Sequence, residues 1–148
     1  MPPAESARRS GCPISISLEI FGDRWSLLVV RDLMFKGMRT FKEFAAAGEG
    51  IATNILAERL GRLESAGIVA RTPDAVDARR VLYHLTEKGM ELAPVLVEMV
   101  IWAARHEDTD APAETVRAMR RDRDAFIDSL AKPAAERRAS RAAKRRLT

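Results

Sequence analysis

Between residues 38 and 90 the chain reads MRTFKEFAAAGEGIATNILAERLGRLESAGIVARTPDAVDARRVLYHLTEKGM, and this segment restricts the fold more than any other. Thr40-Phe41-Lys42-Glu43 has the form of a capping box, in which the Thr hydroxyl accepts from the amide three residues on and Glu43 reaches back. Phe41, Phe44 and Ala45 then share an inward face, and Gly48-Glu49-Gly50 permits a sharp turn. Over residues 52–66, Ile55, Leu56, Leu60 and Leu63 recur at helical spacing, and the other side shows Thr53, Asn54, Ala57, Glu58, Gly61 and Arg62. Gly67 is placed as a left-handed C-cap. A strand is expected over 68–72, broken by Pro73, then a charged loop over 74–80 and a returning strand with alternating Val81, Tyr83 and Leu85. A helix set behind a turn fits the DNA major groove, and a basic hairpin beside it reaches the phosphate backbone. The segment therefore implies sequence-directed DNA binding.

The flanks supply the rest of a core. Pro13 suits the first turn of a helix, and Ile14, Leu18 and Phe21 give a short apolar stripe that Gly22 ends. Asp23 can cap a second helix, faced by Trp25, Leu28, Val29, Leu33 and Met34, that stops near Gly37. After the hairpin, Thr86 caps one long helix expected to reach Glu107. Its Leu92, Val95, Leu96, Met99, Val100, Trp102 and Ala103 are too broad an apolar surface for a lone surface helix. Pro112 opens a further helix to about Leu130, amphipathic through Val116, Met119, Phe126, Ile127 and Leu130. The expected organisation is a disordered segment over 1–11, one domain over 12–107, an added helix within 108–131 and a basic disordered tail over 132–148. There is no internal repeat.

Composition narrows the function classes. The 148 residues are long enough for one real core, and 5% aromatic content beside abundant Leu, Ile, Val, Met and Ala favours helices. No stretch approaches the roughly 18 apolar residues of a membrane span, and MPPAESARRSG lacks the apolar core of a signal peptide. One cysteine excludes an internal disulfide and suits a reducing cytoplasm, with nucleoid association when DNA is bound. The net charge of +4 has to be divided before it is used. Lys132, Arg137, Arg138, Arg141, Lys144, Arg145 and Arg146 against Glu136 put +6 on residues 132–148, which leaves −2 on the remainder. High basicity alone is thus poor evidence for DNA binding by the folded body. The tail reads either as an arm that binds DNA without sequence preference or as a solvated terminus.

The element order and several phrases resemble the HxlR-type branch of bacterial winged helix-turn-helix regulators, from about Gly11 to Ala104. The phrases are CPISISLEIFGDRWSLLVVRDL (Cys12 to Leu33), FKEF (Phe41 to Phe44), GIATNILAERLGRLESAGIV (Gly50 to Val69) and YHLTEKG (Tyr83 to Gly89). Generic DNA-binding helices do not require the first combination. The resemblance implies a mainly α fold with a small β-hairpin wing, and a homodimer paired through N- and C-terminal helices that binds an inverted repeat near a promoter. The interface expected from it comprises Ile14, Leu18, Leu92, Val95, Leu96, Met99, Val100 and Trp102. Two departures stand out. Asp77-Ala78-Arg79-Arg80 looks closer to the MarR-type wing, where Asp and Arg brace the hairpin, so a MarR-like ligand-responsive regulator is a near neighbour. Ala52-Thr53-Asn54 replaces the Ser-Pro-Arg common at the start of the family's reading helix, so the operator cannot be borrowed.

Individual residues carry a bland reading beside the sharp one. Asn54 fits bidentate contact with an adenine edge, Thr53 a phosphate or a thymine methyl, and Glu58 a cytosine amine, although Thr and Asn also start helices routinely. Arg62, Arg79 and Arg80 are placed at phosphates or in solvent, with Arg39, Thr40 and Lys42 as further backbone partners. Cys12 is either a small apolar residue or, beside Pro13 at a helix N-terminus, a thiol whose charged form the dipole favours. Some members of the resembled family sense oxidants or electrophiles through a cysteine at this Cys-Pro position. A lone cysteine would then give an intersubunit disulfide, a mixed disulfide or an alkylated thiol; a small ligand is the other effector class. His106-Glu107-Asp108 with Asp110 has metal-compatible atoms but reads as a solvated helix end, and His84 suggests nothing catalytic. No nucleophile–base pair, carboxylate pair or metal set emerges, so neither an enzyme nor a cofactor is expected. Neutral Thr53 and Asn54 on an acidic body leave a protein-interaction module as the remaining alternative.

Overall fold

The computed structural model describes residues 8–130, and both the basic tail and residues 1–7 of the expected disordered start lie outside them. Residues 8–12 form no helix or strand. The chain then runs α1 (Pro13–Phe21), α2 (Ser26–Met34), α3 (Phe41–Ala45), α4 (Thr53–Ser65), β1 (Val69–Pro73), β2 (Val81–Leu85), α5 (Glu87–Met90), α6 (Ala93–His106), α7 (Ala113–Arg121) and α8 (Arg123–Leu130). This is a winged helix-turn-helix, with α3 and α4 as the helix pair and the antiparallel β1–β2 hairpin as the wing.

Local chemistry sets the boundaries. The Thr40 hydroxyl accepts from the Glu43 amide at 3.2 Å and donates to Glu43 Oε1 at 3.0 Å, so the capping box forms. Gly67, at φ 76°, ends α4: its amide donates to the Glu64 carbonyl at 3.0 Å and the Ile68 amide to the Leu63 carbonyl at 3.0 Å. That left-handed turn delivers the chain directly into β1. Thr86 caps α5 by accepting from the Gly89 amide at 3.0 Å, and its hydroxyl also donates to the Gly67 carbonyl at 2.5 Å. The wing is tied to the domain where the Tyr83 amide donates to the Arg39 carbonyl at 2.7 Å.

Three expected boundaries change. The long helix after Thr86 is two helices, because Pro94 has no N–H to donate and sits in the first turn of a new helix, α6. The helix after Pro112 is also two: Asp122 turns extended, at φ −154° and ψ 95°, and its carboxylate accepts from the Ala125 amide at 3.0 Å. Asp competes with helical hydrogen bonding in this way, and here it starts α8. Pro73 does not break β1 but is its last residue, opposite Val81. A two-stranded sheet has only edge strands, where a missing donor is tolerated.

α2 is the central element. Its Val29, Val30, Leu33 and Met34 are buried with Phe44 of α3, Leu56, Leu60 and Leu63 of α4, Ile68 and Val69 at the wing root, and Leu96 of α6. Phe44 meets the Tyr83 ring edge-on at 5.9 Å, locking α3 to the wing. A second cluster, Val97, Ile101 and Met119, takes α7 and α8 onto α6, and Phe126 reaches back to Phe35 at 6.5 Å between ring centroids. At Gly89 an added Cβ would lie 2.2 Å from the Ile68 carbonyl oxygen. Gly89→Ala should therefore lower unfolding stability by about 1–3 kcal/mol through overpacking, read as a lower urea midpoint at unchanged slope.

Candidate nucleic-acid interface

The helix pair is joined through Gly48 and Gly50, whose φ values of 88° and 73° favour glycine. Between them Glu49 is gripped by Arg31 of α2, Nη1 to Oε1 at 2.8 Å, while Arg31 also holds the buried Asp32 at 2.8 Å. Burial pushes the Asp32 carboxyl up despite Arg31 and Lys36, whereas the Arg31 hydrogen bond draws Glu49 down. The turn is thus clamped to the centre of the core.

That clamp presents α4 with its leucine row inward and Thr53, Asn54, Ala57, Glu58, Gly61 and Arg62 exposed. The expected reading face is on the surface in full. Its two charged members are joined, Arg62 Nη1 lying 3.8 Å from Glu58 Oε1, and Glu58 is also held by Arg59. An open groove of about 830 Å³ runs between α3 and the wing. Lys42, Arg79 and Arg80 line it with Phe41, Val81 and Tyr83. Cations from two separate segments, the start of α3 and the wing, thus meet at one place.

The wing loop is braced as its Asp and Arg content suggested. Asp74 accepts from the Val76 amide and Asp77 from the Arg79 amide, and Arg80 Nε lies 4.0 Å from Asp74 Oδ2. Arg79 is nearly fully exposed, with only a 3.5 Å approach to Asp77. Arg39 is half-buried at the start of α3 and Lys42 is exposed. Thr40 is the exception among the expected phosphate partners: at 6% exposure its hydroxyl is committed to the cap.

Cys12 is exposed at the N-cap position of α1, where its carbonyl accepts from the Ile16 amide at 2.9 Å. Of the expected interface residues, Ile14, Leu18, Val95, Met99 and Trp102 are exposed and Val100 is half-buried. Leu96 belongs instead to the domain's own core at 6% exposure, and Leu92 packs against that core. The reason is its place on α6: Leu96 projects about 100° around the axis from Val95, on the buried side with Ala93 and Val97. His106 lies beside Trp102 at 5.2 Å, and no group of three or more His, Cys, Asp or Glu that could hold a metal occurs among the described residues. No helix among them is long and apolar enough to cross a membrane.

One contact was invisible at the level of sequence. Asp23 accepts from the Trp25 and Ser26 amides at 2.9 and 3.1 Å, which caps α2 as expected, and from Arg59 Nε of α4 at 2.8 Å. The two residues are 36 apart, so no local pattern could have paired them. Partial burial raises the Asp23 carboxyl, but the bonds from Ser26, Trp25 and Arg59 outweigh it and hold it far below the usual range. A depressed carboxyl contributes stability that is present at neutral pH and lost as pH falls below about 4, because unfolding takes up the proton. Asp23→Asn keeps an acceptor for the cap but loses the charge. It should be less stable than wild type near neutrality, with the gap closing in acid, measured by urea unfolding across pH.

Residues 20–111 match the family model described as HxlR-like helix-turn-helix. The HTH-type transcriptional regulator sll1512 of Synechocystis is 40% identical over 88 residues, 60% of this chain and 64% of that protein. The chain thus spans less than two thirds of that relative. Among solved structures, the redox regulator HypR in its oxidised form superposes with a TM-score of 0.59 at 30% identity, covering 66% of this chain and all of that one, 100%. Quinone-bound YodB from Bacillus subtilis gives 0.52 at 36% identity, covering 64% and 99%. The motifs, the helix pair with its wing and these matches agree: the chain belongs to the HxlR-like helix-turn-helix family of transcriptional regulators, which are not enzymes.

Proposed function

We propose that the protein is a homodimeric repressor that binds an inverted-repeat operator, with α4 in the major groove and the wing on the backbone. The observation that carries this is the exposed Thr53–Asn54 start of α4 in a domain whose α3 and wing gather Lys42, Arg79 and Arg80 at one groove. Asn54 supplies an amide with the donor and acceptor that pair with an adenine edge, and Thr53 a hydroxyl and a methyl. The three groove cations are placed to neutralise phosphates. The two-fold interface uses the exposed apolar side chains of α1 and α6, Ile14, Leu18, Val95, Met99 and Trp102. Such a dimer sets its two reading helices about 34 Å apart, one helical turn of DNA. The work is then cytoplasmic, on the nucleoid.

The effector in this reading is an oxidant or electrophile acting on Cys12. HypR is named a redox regulator and YodB has been solved with quinone bound, and both resemble this chain. Cys12 is exposed at the end of α1, the helix that also offers Ile14 and Leu18 to the interface. Alkylation would add the thiolate sulfur to an electrophilic carbon. Oxidation would join two Cys12 thiols from two subunits, two electrons passing to the oxidant and two protons to solvent. Either change sits where it can shift the spacing of the two α4 helices, a bias of a few kcal/mol.

Binding to promoter fragments tests the DNA part. Asn54→Ala should weaken operator binding by about 1–3 kcal/mol and leave other DNA unaffected. Arg80→Ala should weaken both and make the salt slope shallower by about 0.9. Binding without sequence preference, or none, would favour a protein-interaction role. For the thiol part, mild oxidant should release operator DNA from wild type, abolish thiol-specific labelling of Cys12 and give a cross-linked or mixed-disulfide species on non-reducing electrophoresis. A Cys12→Ser protein that responds equally removes Cys12 as the sensor.

A further inference from the structure

We infer that Arg59 is a positioning residue for DNA reading: its fork ties the reading face of α4 to the α1–α2 corner and fixes the helix's rotation. The inference rests on the proposal that α4 is the DNA-reading helix. Arg59 lies between the buried leucine row and the exposed row of α4, with its side chain 21% exposed. One arm, Nε, donates to Asp23 Oδ2 at 2.8 Å, and the Asp23 side chain is itself only 19% exposed. The other arm holds Glu58, on the reading face. A single planar group therefore has one end on the scaffold and one on the surface that meets bases.

The leucine row cannot do this alone. Leu56, Leu60 and Leu63 bury α4 well, but apolar burial is non-directional and resists rolling about the helix axis weakly. Side-chain tips lie roughly 5–6 Å from that axis, so a roll of about 10° moves them by about 1 Å. Such a shift takes a base-edge hydrogen bond out of its working range. A charge-assisted fork is short and directional, and it opposes that roll. Its anchor is held in turn, because Asp23 also accepts from the Trp25 and Ser26 amides and from the Ser26 hydroxyl at 2.5 Å. Asp23 follows Gly22, the C-cap of α1, so the same fork makes α4 follow any displacement of the α1–α2 corner. The Arg59 to Glu58 contact also sets where the Glu58 carboxylate sits when α4 approaches a base.

The test uses full-length protein and a duplex selected by the wild type from a random-sequence pool, with an unrelated duplex of equal length as reference. Both affinities are measured at several salt concentrations for wild type, Arg59→Gln, Arg59→Lys and Asp23→Asn, well below each protein's unfolding temperature. Arg59→Gln leaves the α2 cap untouched and should lower the ratio of selected to unrelated affinity by about tenfold. Affinity for unrelated DNA and the salt slope should stay unchanged. Arg59→Lys, which keeps the charge but loses the fork, should recover part of the ratio. Asp23→Asn, which folds with an acceptor still at the cap, should lower the ratio as well. An unchanged ratio in both Arg59→Gln and Asp23→Asn would overturn the inference. A parallel loss on both duplexes with a shallower salt slope would overturn it too, since that marks a direct phosphate contact. A wild type that selects no sequence would remove the DNA-reading proposal itself, and this inference with it.

Discussion

The carboxylate of Asp23 is the point on which the arrangement of helices turns. It caps α2, the helix at the centre of the core, and grips Arg59 of α4 with the same oxygen. The two helices pack through leucine and valine side chains that specify contact without specifying angle. Polar contacts at both ends of the α2–α4 packing supply the angle: Asp23 to Arg59 at the start of α2, and Arg31 to Glu49 at the turn that precedes α4. A partly buried carboxylate is costly unless its hydrogen bonds are satisfied, and this one has both backbone amides and a guanidinium. Helix α4 is therefore held by direction as well as by burial.

Charge is distributed locally rather than as a field. The tail carries the positive excess and the body as a whole is slightly acidic, yet Lys42, Arg79 and Arg80 converge on one groove. Elsewhere many basic side chains are engaged in pairs, such as Arg71 with Glu64 and Arg123 with Glu98. Near the reading face Arg62 and Arg59 are partly neutralised by Glu58. Concentrating cations between the start of α3 and the wing loop leaves a neutral Thr and Asn at the start of the helix that would read bases. That division matches the general separation of backbone positioning from base readout.

The C-terminal helices alter the exposed apolar surface of α6 more than the helix pair and wing. Met119 of α7 and Phe126 and Ile127 of α8 cover one side of α6, so that side is unavailable to a partner. The opposite side keeps Val95, Met99 and Trp102 exposed, in line with a surface awaiting a second element. Leu96, which belongs to the same apolar run, is in the domain core. Periodicity alone placed all of these residues on one broad face. Packing separates them: on the one helix α6, Leu96 lies on the side buried against the domain core, and Val95, Met99 and Trp102 lie on the side left open.

Sequence by itself determined the helix pair, the wing and which face of α4 is exposed, because those rest on local rules: a capping box, glycines at turns, leucines at helical spacing and alternation in strands. Each is decided within a few residues, and Thr40, Gly67 and the Leu56–Leu60–Leu63 row behave as local chemistry requires. Tertiary structure alone decided which charges meet. The Asp23–Arg59 and Arg31–Glu49 contacts join residues 36 and 18 apart, and the Lys42–Arg79–Arg80 groove brings a helix start to a hairpin tip. It also decided where apolar runs divide, as at Pro94 and Asp122, because a helix break reorients every side chain beyond it. Hydrophobic pattern is a property of neighbours along the chain. Hydrogen-bond partnership is a property of neighbours in space, and it exists only once the core has set the helices side by side.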